Sequence, residues 1–303
     1  MISVIQLGTV DYATGLRLQQ RLVELRKAGQ IGDVLLLLEH TPVITLGRNA
    51  KAANVVASPE LLARRGVEVF ECDRGGDVTF HGPGQIVGYP IFDLRGFPSD
   101  DSKRPTLGVV EYVRRLEEVL IRTCADFGIS TQRIPGLTGV WTFCRALSSR
   151  AEQPVRAADK AAESRACPEP AEGDLGFSRG ESETLPHAAT AEAKIAALGV
   201  HISRGVTSHG FALNVNTDLS FFDLIIPCGI ESKPVTSIEK ELGKQVPPQD
   251  VAHAVSRNFG VVFESQILWL ETLDALLGHS VGVPMKPPTE LRQLHKEDDS
   301  TWA

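Results

Sequence analysis

The sequence predicts an α+β fold, a mixed or antiparallel central sheet flanked by helices. Three observations carry this. Strand-like and helix-like stretches follow one another without the regular alternation that a parallel βαβ sheet requires. Short apolar runs such as VLLLL at residues 34–38 have the length of buried strands. Residues 107–127 set Val110, Val113, Leu116, Leu120 and Ile121 on one helical stripe, closed by Gly128.

In chain order, residues 2–7 alternate like a strand. Residues 12–28 carry Leu16, Leu22, Val23 and Leu25 at helical spacing, with Gly29 as a stop. The 34–38 strand follows, Pro42 breaks the chain, and a strand resumes at 43–46. Residues 59–66 make a short helix and 67–72 an edge-like strand. Then comes the densest motif, RGGDVTFHGPGQIVGYPIFDL at 74–94, where two short strands (Val78 and Phe80; Ile86 to Ile91) flank a glycine turn. Glycine at that density marks positive φ or close approach of a ligand to the backbone. Alone, the motif also fits a tight hairpin around a buried histidine, the lesser of the two readings. After the helix at 107–127, residues 134–141 (IPGLTGVW) read as turn and strand.

From residue 143 to about 190 the chain turns rich in Ala, Glu, Arg, Ser and Pro, with few aliphatic residues and no steady period. Such a stretch cannot bury enough apolar surface to offset its ordering entropy, so 144–190 is expected to be a disordered insertion. Strand character returns at 194–202 and 208–215, joined by SRGVT, and helices are expected at 251–263 and 268–277. The whole reads as one domain over 1–284 with a flexible tail at 285–303.

Composition sets the limits. The 303 residues are 42% hydrophobic and 23% charged, ordinary values for a soluble globular protein. A net charge of -7 argues against broad nucleic-acid binding, and the pairs Arg64-Arg65 and Arg114-Arg115 read as solvated helix faces. No apolar run approaches the roughly 18 residues of a membrane span, and the start has no basic n-region of a secretory signal. A cytoplasmic location is the expectation. The five cysteines are odd in number and lack CxxC spacing, against a disulfide framework and a structural zinc site.

Four side chains can carry chemistry. Cys228 sits in IIPCGI, a turn setting more suited to a reactive thiol than to a strand interior, although an arbitrary cysteine is usually a small buried hydrophobe. Lys194 opens the otherwise apolar strand KIAALGV, where a lysine either snorkels to solvent or is held against a partner. Held beside Cys228, its charge would favour the thiolate. His81 and His209 each precede a glycine, and neither has an evident Asn or Asp orienter for a cysteine–histidine dyad. Metal binding by His81, His209 and Cys228 has no supporting spacing.

Together these pieces resemble the lipoyl(octanoyl) transferase family. The resemblance lies in EHTPVITLGR (39–48), RGGDVTFHGPGQIVGYPI (74–91), PGLTGVW (135–141), KIAALGVHISRGVTSHGFALNV (194–215), IIPCGI (225–230) and KPVTSIEKELG (233–243). It implies a fold like the catalytic domain of biotin and lipoate protein ligases. It further implies transfer of octanoyl from acyl carrier protein, through a Cys228 thioester, to a lysine amine of a lipoyl domain, with Lys194 lowering the thiol's pKa. Arg74, Gly75, Gly76, Asp77, Val78, Thr79, Phe80, His81, Ala197, Leu198, Gly199, Gly210, Phe211 and Ala212 would then line the acyl groove. Acceptors would be lipoyl domains of 2-oxoacid dehydrogenase complexes and the glycine cleavage H protein. The enzyme would be a cytoplasmic monomer needing neither cofactor nor metal, and the 144–190 insertion departs from the short turn usual in the family. Three other functions stay open at this point: an ATP-dependent lipoate–protein ligase on the same scaffold, a non-catalytic binder of acyl carrier or lipoyl domains, and a cysteine hydrolase.

Overall fold

Within the 34–38 run, Leu35 and Leu37 face one side of a strand and Val34, Leu36 and Leu38 the other, all five buried. A strand apolar on both faces must be covered on both. The computed structural model, which describes residues 1–143, 192–227 and 233–279, puts this strand inside an eight-stranded sheet. In spatial order the strands are β11 (Ile267–Leu270), β1 (Ile2–Val10), β2 (Asp33–His40), β6 (Gln85–Ile91), β10 (Val206–Asn214), β9 (Glu192–Ser203), β8 (Leu137–Phe143) and β7 (Thr131–Ile134). β1 runs parallel to β2 and β11, and the other neighbours are antiparallel, so the sheet is mixed. A smaller sheet takes the order β4 (Glu68–Glu71), β3 (Val43–Leu46), β5 (Val78–His81).

Helices cover both faces of the large sheet. Leu116, Val119 and Leu120 of α3 (Val109–Asp126) and Val251, Val255 and Phe259 of α5 (Pro248–Val262) pack on Leu35, Leu37, Ile86 and Leu213. On the opposite face Leu18, Leu22 and Leu25 of α1 (Tyr12–Lys27) meet Leu36, Leu38, Val87 and Ile91. Asp11 caps α1 by accepting the Thr14 N–H. Among the described residues the other α-helices are short: α2 (Pro59–Arg64), α4 (Ile238–Leu242) and α6 (Leu273–His279). The β9–β10 hairpin turns at Arg204-Gly205, both with positive φ, the handedness that suits two-residue hairpins. Among the described residues no helix is long and apolar enough to cross a membrane.

Two expectations are corrected here. The strands of the 74–94 motif do not pair with each other. All seven residues of β6 are buried, so it needs a neighbour on each edge, and β2 and β10 supply them. β5 instead pairs with β3, and the glycine segment crosses from one sheet to the other. Residues 267–270 form a strand parallel to β1, not the start of a helix; helix α6 begins only at Leu273. Four residues, ILWL, are too few for periodicity to separate the two states. The 144–190 insertion, the 285–303 tail and Cys228 lie outside the described residues.

Candidate active site

Between the α1-facing side of the large sheet and the small sheet lies a pocket of about 470 Å³, its open mouth included. Its floor is strand backbone with little side chain: Ala197 lies opposite Ala212, and Gly199 opposite Gly210. Val87 and Tyr89 of β6 extend the floor, and Tyr12 of α1 closes one side. Arg74, Gly76, Asp77, Thr79 and His81 make the roof, with Leu198 and Phe211 also touching the space. The exceptions among the groove residues expected from the sequence are Gly75, Val78 and Phe80. On β5 the side chains alternate, so Val78 and Phe80 enter the core of the small sheet while Thr79 and His81 face the pocket. Gly75 is a clamp: its N–H donates to Val200 O (3.1 Å), and a Cβ on Gly199 would sit 2.6 Å from Gly75 O. The roof closes down on the floor there because neither residue has a side chain.

The polar groups of the roof are held by neutral partners. The buried Arg74 guanidinium donates to Thr45 Oγ1 and O and to Gly75 O, and no carboxylate pairs with it among the described residues. Gln85 spends its amide N–H groups on Phe80 O and Asn214 Oδ1, leaving its oxygen for His81 Nδ1 at 2.8 Å. His81 is therefore assigned the Nδ1–H tautomer, with Nε2 as an acceptor. The same logic makes His40 donate to Val10 O and accept from the Tyr89 hydroxyl at 2.6 Å. Sequence reasoning missed the partner of His209: its Nε2 lies 2.7 Å from Asp73 Oδ1, one residue before the motif, and His201 approaches the other oxygen at 3.5 Å. It also missed Tyr12, Val87 and Tyr89 as lining residues. No signal in the chain marks strand-face neighbours separated by more than a hundred positions.

Burial pushes His81 down to about 3, helped by the nearby His40, and His40 down to about 4. Both are neutral in the folded protein at pH 7. The unfolded chain takes up a proton on each near pH 6.5, which the native state refuses until about pH 4 at His40 and about pH 3 at His81. Stability is thus complete above about 6.5 and falls as pH drops towards 4, by about 1.4 kcal/mol per pH unit per histidine. A melting series from pH 7 to 4.5 should show this slope, and His81→Asn, which keeps a donor for Gln85, should halve it, leaving the part that belongs to His40. Equal slopes would refute the buried neutral state.

Lys194 lies on β9, three residues from Ala197, or about 10 Å along the strand. Regular pleating would put Lys194 and Ala197 on opposite faces. A β-bulge intervenes: Val140 pairs with Ala196 but Trp141 pairs with Lys194, leaving Ile195 as the extra residue. Ile195 and Ala196 both join the α3-facing core, so Lys194 emerges on the pocket face. There its ammonium stands 5.0 Å from the centre of the Trp141 ring, and the residue is only 8% exposed. Its N–H donates to Pro234 O and its O accepts from Thr236 N–H. Thr236 O in turn accepts from Asn214 Nδ2, which links the lysine's backbone to Gln85 and His81. The residues before and after the 228–232 segment border this region: Ile226 N–H donates to Asn54 O, and Pro234 O accepts from Lys194 N–H. Asn54 Nδ2 also donates to Asp77 of the pocket roof. Among the described residues no group of three His, Cys, Asp or Glu side chains is placed to hold a metal ion.

Residues 11–260 match the family described as the lipoyl protein ligase A/B catalytic domain. The chain is 54% identical over 298 residues to the octanoyltransferase of Koribacter versatilis, covering 98% of each. It is 50% identical over 279 residues to the octanoyltransferase of Acidobacterium capsulatum, covering 91% of this chain and 96% of the relative. Among solved structures, a bipartite lipoate protein ligase of Thermoplasma acidophilum has a similar fold (TM-score 0.58, 14% identity, 97% of this chain and 92% of that one). So does a lipoate-protein ligase A bound with ATP (TM-score 0.56, 15% identity, 98% and 96%).

Proposed function

The chain belongs to the lipoyl protein ligase A/B catalytic-domain family, and from that membership and its relatives we infer that it is an octanoyltransferase acting in protein lipoylation. It is an acyltransferase whose acceptors are lipoyl domains. What supports the reading most is the shared name of relatives matched along most of the chain, joined to a pocket with a bare apolar floor that faces the same side as a buried lysine.

In the reaction proposed, the Cys228 thiolate attacks the carbonyl carbon of octanoyl carried as a thioester on acyl carrier protein. A new S–C bond forms, the donor S–C bond breaks, and the departing thiol takes a proton from Lys194. An amine of the lipoyl domain then attacks the Cys228 thioester. The C–N bond forms, the cysteine sulfur leaves, and Lys194 accepts the amine's excess proton. The first exchange is nearly isoenergetic and the second runs downhill to an amide, so neither nucleotide nor metal is required. Arg74, Gly76, Asp77, Thr79 and His81 of the roof and the 197–199 and 210–212 floor hold the chain. Burying its methylenes contributes about 5 kcal/mol at roughly 0.8 kcal/mol each. The donor protein, the acceptors on 2-oxoacid dehydrogenase complexes and the H protein, a monomeric state and a cytoplasmic site complete the proposal.

The test is intact-mass spectrometry after mixing the protein with octanoyl-carrier thioester and no ATP. An octanoyl adduct on the Cys228 peptide, discharged by added lipoyl domain, is the expected result. Turnover that requires ATP, or no adduct, would overturn it. A second expectation concerns the floor. Ala197→Leu fills space for about three methylenes, so kcat/KM for octanoyl should fall by about 2 kcal/mol, roughly thirtyfold, while shorter acyl donors lose less. An unchanged chain-length profile in competition assays would remove the floor from the binding site.

A further inference from the structure

Glu117, on α3, is fully buried, a costly place for a carboxylate unless it is paired and hydrogen-bonded. Three groups meet it: Arg114 Nη1 at 2.7 Å, Arg133 Nε at 3.2 Å, and the Gly139 N–H, which donates to Oε1 at 3.1 Å. The arginines do not need it at that depth. Both are partly exposed, and Arg133 also pairs with Glu118 near the surface. Gly139 has a stronger claim. It falls in the irregular stretch of the register with β7 and just beyond the last registered pair with β9, and its N–H goes to Glu117.

Gly139 holds φ at 134°, a conformation open to glycine and strained for other residues. A Cβ there would lie 2.6 Å from Lys194 Cε and 3.4 Å from Nζ. The space the lysine occupies is therefore the space this glycine leaves empty. We infer that Glu117 is a positioning residue for Lys194: by holding the Gly139 N–H it fixes the backbone conformation that seats the lysine's Cε and Nζ on the pocket face. Since Arg114 and Arg133 balance the carboxylate's charge, it acts through geometry. The inference rests on Lys194 being the catalytic ammonium, and its test separates the two.

Glu117→Gln keeps an oxygen at the same reach for Gly139 and drops the charge, its NH2 replacing the oxygen met by Arg114 and Arg133, which are exposed enough to turn to solvent. Glu117→Asp keeps the charge and falls one carbon–carbon bond short of Gly139. The measurements are kcat and KM for the octanoyl donor, and the pH-dependent amine labelling of Lys194 read by mass spectrometry against the exposed Lys240. Glu117→Asp should lower kcat about 100-fold with KM unchanged and displace the Lys194 labelling profile, as expected for a catalytic group moved by about 1 Å. Glu117→Gln should stay within about threefold of wild type in kcat, even with a lower melting temperature. Gly139→Ala, which crowds the lysine without touching Glu117, should reproduce the aspartate variant. If glutamine loses as much kcat as aspartate, or aspartate leaves the Lys194 profile in place, the inference is overturned. A displaced profile with normal kcat would uphold the positioning and refute the catalytic role of Lys194.

Discussion

Replacing Lys194 by alanine is expected to lower octanoyl transfer by about three orders of magnitude, within the range proton-transfer groups contribute. A free thiol with a pKa near 8.5 is only a few per cent thiolate at pH 7, so loss of a neighbouring ammonium costs both nucleophile and proton carrier. The fold should survive. Lys194 is a buried cation seated over Trp141, and its strand is held by backbone bonds to Pro234 and Thr236 that alanine keeps. The measurement is steady-state transfer from pH 6 to 9 together with a melting curve. A rate recovered at high pH, where the thiol ionises unaided, would show that thiolate formation was the main loss. A variant within tenfold of wild type at every pH would remove Lys194 from the mechanism.

Cys228→Ala should have the largest effect of any single change, at least about ten-thousandfold, because the covalent route disappears instead of slowing. Nothing else in the proposed sequence can carry the acyl group between two proteins. The pocket is built from β5, β6, β9 and β10, so donor binding should persist while the adduct vanishes from intact-mass spectra. Binding and catalysis come apart cleanly in that variant. Turnover by Cys228→Ala in the presence of ATP would point to an acyl-adenylate route; turnover without ATP would point to direct attack by the acceptor amine.

The elements legible in the sequence were those with a long or two-sided pattern. Leu116 and Leu120 of the α3 stripe and the doubly buried β2 announce their own burial, whereas Val110, expected on the same stripe, is 74% exposed at the helix start, before α3 reaches the sheet. What could not be read was pairing. β5 and β6 sit next to each other in the chain yet belong to different sheets, because strand partners are chosen by which edges remain to be covered. The short β11 lacks the length to show a period. At the site, the glycine–histidine motif pointed to the roof and the 197–199 and 210–212 segments to the floor. The alternation that turns Val78 and Phe80 away from the pocket became visible only with the pleat of β5 fixed by β3. His209 and Asp73 meet across 136 positions, and no local spacing encodes such a contact.

The odd residue in β9 makes the orientation of the ammonium a matter of counting. Exchanging Ile195 or Ala196 for another side chain alters packing by degrees. Removing one of them would restore an even pleat and turn the lysine beneath the sheet, towards α3. Along this stretch the number of residues decides more than their identity: one residue gained or lost turns the ammonium to the other face.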